Sequence, residues 1–120
     1  MIKNKFKVIV TGGAGFIGGT LIRKLLKDTN WTVYNMDKMG YASDLSWIKD
    51  SNEYQLRHFF LKIDLRKKEI LENSLQEIKP DLIIHLAAES HVDRSIDNPL
   101  NFIESNIMGT FNLLEASRSY

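Results

Sequence analysis

Apolar and polar positions run along this chain in blocks whose period changes repeatedly. Lys7 to Thr11 is a short β-branched run that stops at Gly12 and Gly13, which predicts a buried strand. From Phe16 to about Lys27, apolar residues fall at Ile17, Leu21 and Leu25 and at Ile22 and Leu26, two rows of one helical stripe. Thr32 to Met36 predicts a second strand ending at Asp37, and Arg57 to Ile63 a third ending at Asp64. Ile70, Leu71, Leu75 and Ile78 mark a second helix, which Pro80 stops. Leu82 to Leu86 predicts a fourth strand. Asn98-Pro99 then opens a helix, with Asp97 or Asn98 as its cap and Pro99 in its first turn. Leu100, Ile103, Ile107, Phe111 and Leu114 carry its stripe almost to Tyr120. The connection 38–53 is irregular, with a short helix possible at 44–49, and connections of that length often carry function.

Alternating strands and helices of this kind build an α/β fold. Parallel strands joined by right-handed helical crossovers give a sheet with helices on both faces. The expected strand order is 3-2-1-4, the first half of a doubly wound sheet plus one strand. The chain is then one domain, 1–120, cut after the fourth strand and the helix that follows it.

Composition narrows the function classes. At 120 residues, 43% of them apolar and 26% charged, the chain is long enough for a core but too short for a two-domain enzyme. Sixteen Lys and Arg against fifteen Asp and Glu leave a net charge of +1, with no electrostatic footprint for nucleic acid. Lys3, Lys5 and Lys7 read as a solvated approach to the first strand. Without cysteine there is no disulfide framework, thiolate zinc site or thiol nucleophile. His58, His85 and His91 lack metal-ligand spacing, so no metal site is expected, and His58 and His85 fall on predicted strands. The first apolar stretch is broken by Gly12 and Gly13 and is too short for a signal peptide or a membrane span. A soluble, cytoplasmic protein with no membrane partner is the expectation.

The strongest chemical signal is Thr11-Gly12-Gly13-Ala14-Gly15-Phe16-Ile17-Gly18. Gly13, Gly15 and Gly18 fit G-x-G-x-x-G, and Gly12, Gly15 and Gly18 fit G-x-x-G-x-x-G. Such glycines permit a tight turn, let backbone approach a pyrophosphate, and let a helix pack close to a strand. The N–H groups at the helix start then face the anion. The motif follows a predicted strand and opens a predicted helix, the context that gives it meaning as a Rossmann-type dinucleotide fingerprint. Asp37 ends the second strand about 20 residues later, where an acid binds the adenosine ribose. Its charge would repel the 2′-phosphate of NADP, which favours NAD.

Asp64, in Asp64-Leu65-Arg66, has two roles open to it: accepting from the adenine amino group, or capping the helix that starts near Lys67. Leu86-Ala87-Ala88 ends the fourth strand with small residues against which a flat ligand can lie. The polar run Glu89 to Ser95 that follows reads equally as functional, lining a substrate cleft or with His91 and Asp93 as a fragment of an acid/base relay, or as a solvated loop capping the next helix. Ser90 lacks the context of a nucleophilic serine. Trp31 and Trp47 read as packing residues. Tyr34 and Lys38 fit Tyr-x-x-x-Lys but span the end of a strand, where residues four apart share no face as they would on a helix.

With these motifs the chain resembles the extended short-chain dehydrogenase/reductase family, and within it the branch that dehydrates nucleotide sugars. The resemblance is carried by the glycine segment, by Met36-Asp37-Lys38, by Ala87 to Ser95, and by Phe102 to Thr110. It covers nearly all of this chain but only the amino-terminal third or so of such an enzyme. It implies that Gly12, Gly15 and Gly18 form the NAD cradle and that Phe16 and Ile17 meet the pyrophosphate through backbone. It places Asp37 and Lys38 on the ribose, and Asp64 and Leu65 beside the adenine. Leu86, Ala87 and Ala88 pass under the cofactor, Ser105 lies near the nicotinamide, and Ser90 contacts the sugar nucleotide, with dTDP-glucose as the implied substrate. Asn106, Gly109 and Thr110 resemble a helix motif that supports the catalytic centre. The family's chemistry is a hydride removed from C4, water lost across C5 and C6, and the hydride returned to C6. Departures are Gly40 in place of Thr, Ser43-Asp44 in place of Gly-Asn, and Gly19 in place of Ser. The loss of the hydroxyl at Gly40 puts one cofactor contact in doubt.

The helical Tyr-x-x-x-Lys pair and the Asp-Glu pair that this chemistry needs are not in place, so no catalytic residue is assigned and they are expected beyond Tyr120. The isolated chain is expected to bind NAD weakly and to be inactive, and the full-length protein to be a homodimer through paired helices. A nucleotide-sugar 4-epimerase of the same family and a non-catalytic NAD-binding module are the alternatives. The ending Leu114 to Tyr120 reads as mid-helix, without a Gly cap or Pro stop, which favours an enzyme whose reading frame continues.

Overall fold

Val8, Ile9 and Val10 have no solvent exposure and form the middle of a four-stranded parallel sheet. The computed structural model describes residues 5–39, 55–88 and 96–120. The chain divides into two units, Met1–Lys62 with Pro80–Ala87, and Ile63–Lys79 with Ala88–Tyr120.

The first unit contains β1 (Lys7–Thr11), α1 (Phe16–Asp28), β2 (Thr32–Asp37), β3 (His58–Lys62) and β4 (Leu82–His85). The strand order is β3-β2-β1-β4, all parallel, as the alternation of the sequence predicts. Register sets Val10 beside Asn35 and Ile84, and Thr11 beside Met36 and His85. β3 and β4 each stop short of the predicted end, leaving Ile63 and Leu86 outside the strands. The core joins Val8, Val10 and Val33 of the sheet to Ile22 and Leu26 of α1. Each such side chain contributes about 1.5–3 kcal/mol on full burial.

Both predicted rows of α1 meet the core, with Leu21 and Leu25 half-buried against the cluster that Ile22 and Leu26 join. Ile22 and Leu26 are buried, whereas Ile17 is 69% exposed at the helix start. The far end of α1 is finished by Arg57, whose guanidinium donates to the carbonyls of Leu26, Thr29 and Trp31. It thereby meets carbonyl groups around the helix terminus that have no partner within the helix. Trp31 packs against Phe6 at 4.5 Å between ring centroids, as a packing residue should.

The second unit holds α2 (Lys68–Ile78), α3 (Pro99–Ile103), a π-helical turn (Glu104–Met108) and α4 (Gly109–Ser119). α2 ends with Lys79 in the left-handed region, φ 54°, immediately before Pro80. α3 begins as the sequence predicts, with Asn98 accepting the Asn101 N–H at 3.2 Å and Pro99 in the first turn. α2 and α4 pack together, burying Leu71, Leu75 and Ile78 on one and Asn112, Leu113 and Ala116 on the other.

The predicted stripe of the last helix is not its core face. Leu100, Ile103, Ile107, Phe111 and Leu114 are between 48% and 65% exposed. The pattern finds a real apolar face, but periodicity cannot say whether a face meets the core or lies open. The continuous helix it predicts is also interrupted. Across the π turn the Gly109 N–H reaches back five residues to the Glu104 carbonyl, which rotates the positions after the turn relative to those before it.

Candidate functional site

Three glycines of the loop between β1 and α1 are there because side chains do not fit. Gly12 has φ +74°, and a Cβ on it would lie 2.7 Å from the Ala87 backbone nitrogen. A Cβ on Gly13 would collide with the Asn35 side chain, and one on Gly18 with the Gly12 carbonyl oxygen. Gly15 differs. Its nearest neighbour would be the Gly12 oxygen at 3.3 Å, so the space beside it is comparatively open. Gly15 is also the N-cap of α1, and neither a side-chain cap nor an acid in the first turn competes for the N–H groups there. Positive dipole and free space coincide, the arrangement that receives a phosphate. Phe16 and Ile17 begin the helix with exposed side chains.

Asp37 is drawn against this loop. Its Oδ2 accepts the Ala14 N–H at 3.0 Å and its Oδ1 accepts the Met39 N–H at 2.6 Å. Two parts of the predicted fingerprint, 23 residues apart, thus meet through one hydrogen bond. Asp37 is 9% exposed, and Lys38 beside it is half-buried. Tyr34 lies on β2 and stacks on Phe59 of β3 at 5.3 Å, so the Tyr34 and Lys38 spacing is a strand coincidence, as read.

Thr11 is a site residue that sequence reasoning missed. Its hydroxyl accepts the Leu86 N–H at 3.0 Å and the Ala87 N–H at 3.1 Å. A hydroxyl has one proton to give, and the His85 Nδ1 lies 2.6 Å away to take it. Thr11 thereby fixes the backbone at Leu86 and Ala87. Burial pushes the His85 imidazole below its ordinary pKa, and does the same to His58, which meets the Asn35 amide at 3.3 Å. Ala87 is half-buried, while Leu86 and Ala88 are exposed.

In the second unit, Asp64 resolves one of its two open roles. The N-terminus of α2 has no side-chain cap. The Asp64 carboxylate turns to Arg66 instead, accepting its backbone N–H at 3.0 Å and its guanidinium at distances down to 2.6 Å. The same guanidinium reaches Asn101 and Glu104 at 3.1 and 3.4 Å. Hydrogen bonding to Asp64 raises the already high pKa of Arg66. Leu65 is buried, its carbonyl held by the Asn112 amide at 2.9 Å, and a Cβ on Gly109 would come within 3.2 Å of its side chain. Arg66 and Asn112 were also missed. The signal for Asn112 was a polar residue on a helix face next to Leu113 and Ala116. Ser105 sits half-buried on the π turn, and the Thr110 hydroxyl donates to the Asn106 carbonyl at 2.7 Å.

Ser90, His91 and Asp93, with the rest of Glu89 to Ser95, lie outside the described residues, as do Gly40, Ser43, Asp44 and Trp47. Among the described residues no cluster of His, Asp or Glu could hold a metal ion, and no helix is long and apolar enough to cross a membrane.

Comparison with known proteins places this geometry. The family model described as GDP-mannose 4,6 dehydratase matches residues 9–120. The chain is 46% identical over 117 residues to dTDP-glucose 4,6-dehydratase of Salmonella typhimurium, covering 95% of this chain and 31% of that protein. It therefore spans about a third of the length of such curated relatives. Among solved structures it is similar to DesIV, a dTDP-glucose 4,6-dehydratase from Streptomyces venezuelae with NAD bound, at a TM-score of 0.82 and 35% identity over 95% of this chain and 36% of that one. It is also similar to the Thermus thermophilus UDP-glucose 4-epimerase in complex with NAD, at a TM-score of 0.79 and 34% identity over 96% and 34% of the two chains.

Two measurements test the site's construction. Gly18→Ala should destabilise the fold by about 1–3 kcal/mol in urea unfolding, because its methyl group has only the Gly12 backbone to displace. An unchanged unfolding midpoint would show that α1 and β1 can separate freely. The depressed pKa values of His58 and His85 mean that the unfolded chain takes up protons first as pH falls. Stability fully present above about pH 6.5 should then be lost below it, and His85→Gln should flatten that dependence of the melting temperature. An equally steep fall in the variant would remove His85 as a cause.

Proposed function

This chain belongs to the GDP-mannose 4,6 dehydratase family, and on that footing we propose that it is the NAD-binding part of a nucleotide-sugar dehydratase acting on dTDP-glucose. The observation that carries the cofactor reading is the Asp37 carboxylate held by the Ala14 N–H at the rim of the glycine loop. The cradle fits a dinucleotide: open space at Gly15, an uncapped start of α1, and an acid fixed beside them. When bound, NAD supplies an acceptor for hydride from the sugar and a donor that returns it.

The chain's own residues bind and orient. The backbone N–H groups of Phe16 and Ile17 hold the pyrophosphate, with Gly12, Gly15 and Gly18 making the room. Asp37 and Lys38 hold the ribose, and the Asp37 charge disfavours a 2′-phosphate. Asp64 and Leu65 take the adenine, Leu86 to Ala88 lie under the cofactor, Ser105 serves the nicotinamide side, and Ser90 serves the sugar nucleotide. No residue of this chain is assigned to proton transfer, which belongs to acid and base groups elsewhere in the enzyme. Identity of 46% to a dTDP-glucose 4,6-dehydratase, together with the run Glu89-Ser90-His91-Val92-Asp93-Arg94-Ser95, favours dehydration. Likeness to UDP-glucose 4-epimerases supports epimerisation as the second reading.

The exposed apolar face of Leu100, Ile103, Ile107, Phe111 and Leu114 supports a homodimer formed through this helix. Exposed apolar residues along one helical segment are what a self-association surface presents to solvent.

The assay is incubation of the complete protein and NAD with dTDP-glucose, read by NMR of the sugar. A 4-keto-6-deoxy product is expected; clean inversion at C4 would establish the epimerase instead. For the dimer, Phe111→Asp should shift the complete protein to monomer in sedimentation velocity. A dimer that persists would move the interface elsewhere.

A further inference from the structure

We propose that Arg66 is a positioning residue for the Asp64 carboxylate, and that through it the site selects a purine bearing an exocyclic amine. The proposal rests on the reading of Asp64 as the adenine contact. Asp64 alone is a poor recognition element, because the carboxylate torsion of an aspartate is broad and nearly two-fold. Arg66 removes that freedom. Its backbone N–H reaches Oδ1 at 3.0 Å, its Nε lies 3.0 Å from Oδ1 and 2.9 Å from Oδ2, and its Nη2 lies 2.6 Å from Oδ2. Both carboxylate oxygens are engaged from one side by a planar fork, so rotation of the carboxylate breaks several charge-assisted bonds together.

The fork is itself held from its other edge. Arg66 Nη1 donates to Asn101 Oδ1 at 3.1 Å and to Glu104 Oε2 at 3.4 Å. The guanidinium is thus fixed between the loop that carries Asp64 and the helix that leads into the π turn. The guanidinium is shared between the Asp64 and Glu104 carboxylates, and an ionised carboxylate offers acceptors only. An oriented acceptor receives the N–H of an adenine amine and repels the carbonyl oxygen that replaces it in hypoxanthine. Orienting the carboxylate before binding also lowers the entropy lost when the base arrives. Lysine would keep the charge but not the fork, and a point charge does not fix the carboxylate plane.

The test compares NAD with nicotinamide hypoxanthine dinucleotide, in which a carbonyl replaces the amine and N1 carries a proton, by calorimetric titration of the complete, cofactor-free protein. The native protein should prefer NAD about tenfold, the worth of one hydrogen bond to a charged group. Arg66→Lys and Arg66→Leu should bring that preference within about twofold, chiefly by weakening NAD. A ratio of affinities is indifferent to the fraction of protein that is folded, so a fragile variant still gives an answer. If the native protein discriminates and both variants discriminate equally well, or lose both ligands in parallel, Arg66 is structural and the proposal fails while the Asp64 reading stands. If the native protein does not discriminate, Asp64 is not the contact to the amine, and both fall.

Discussion

A helix that starts directly against the strand before it must bring two backbones together with no side chain between them. Here that constraint falls on Gly18 over the Gly12 carbonyl. Once the start of α1 is seated there, its N–H groups open toward the space beside Gly15, and the Ala14 N–H meets the Asp37 carboxylate. The same tight corner lets Gly12 pass against the backbone of Ala87, which Thr11 holds with its hydroxyl. The uncapped helix start, the anchored Asp37 carboxylate and the fixed backbone after β4 are consequences of one close approach. Gly12 takes its positive φ without strain because it has no Cβ.

The second unit solves a different problem, that of holding a loop rigid without a strand. Asp64 to Arg66 follows β3 and precedes α2, outside either element. Besides the Lys67 N–H donated to the Asp64 carbonyl, it is held by side chains: Asn112 on the Leu65 carbonyl, and Arg66 between Asp64, Asn101 and Glu104. Gly109 keeps α4 close enough for the Asn112 bond to form. The π turn between Glu104 and Met108 lies in the segment that Arg66 grips and carries Ser105. Such turns recur at functional sites because the widened turn redirects side chains at little cost in backbone bonding.

Much of this was legible in the residues. Short β-branched runs bounded by Gly, Asp or Pro give strands whose order follows from parallel crossovers, and that order is found. The glycine motif and Asp37 carried their meaning in spacing, because the backbone geometry of a strand, a turn and a helix is set locally. The role of Asp64 was not legible. Capping and ligand contact use the same carboxylate at the same position, and the structure excludes only the cap, by turning that carboxylate to Arg66. Thr11 and Asn112 were also hidden, since their partners lie 75 and 47 residues away in the chain.

The apolar stripe of the last helix marks the boundary most clearly. Sequence by itself determined that Leu100, Ile103, Ile107, Phe111 and Leu114 recur at helical spacing, because that spacing is a property of the backbone. It equally determined the strands, the glycine turn and the acid that follows them. Tertiary structure decided which face is the core. It buries Leu113 and Ala116 and leaves Phe111 and Leu114 exposed. Burial is a relation between segments distant in sequence, and no local period contains it.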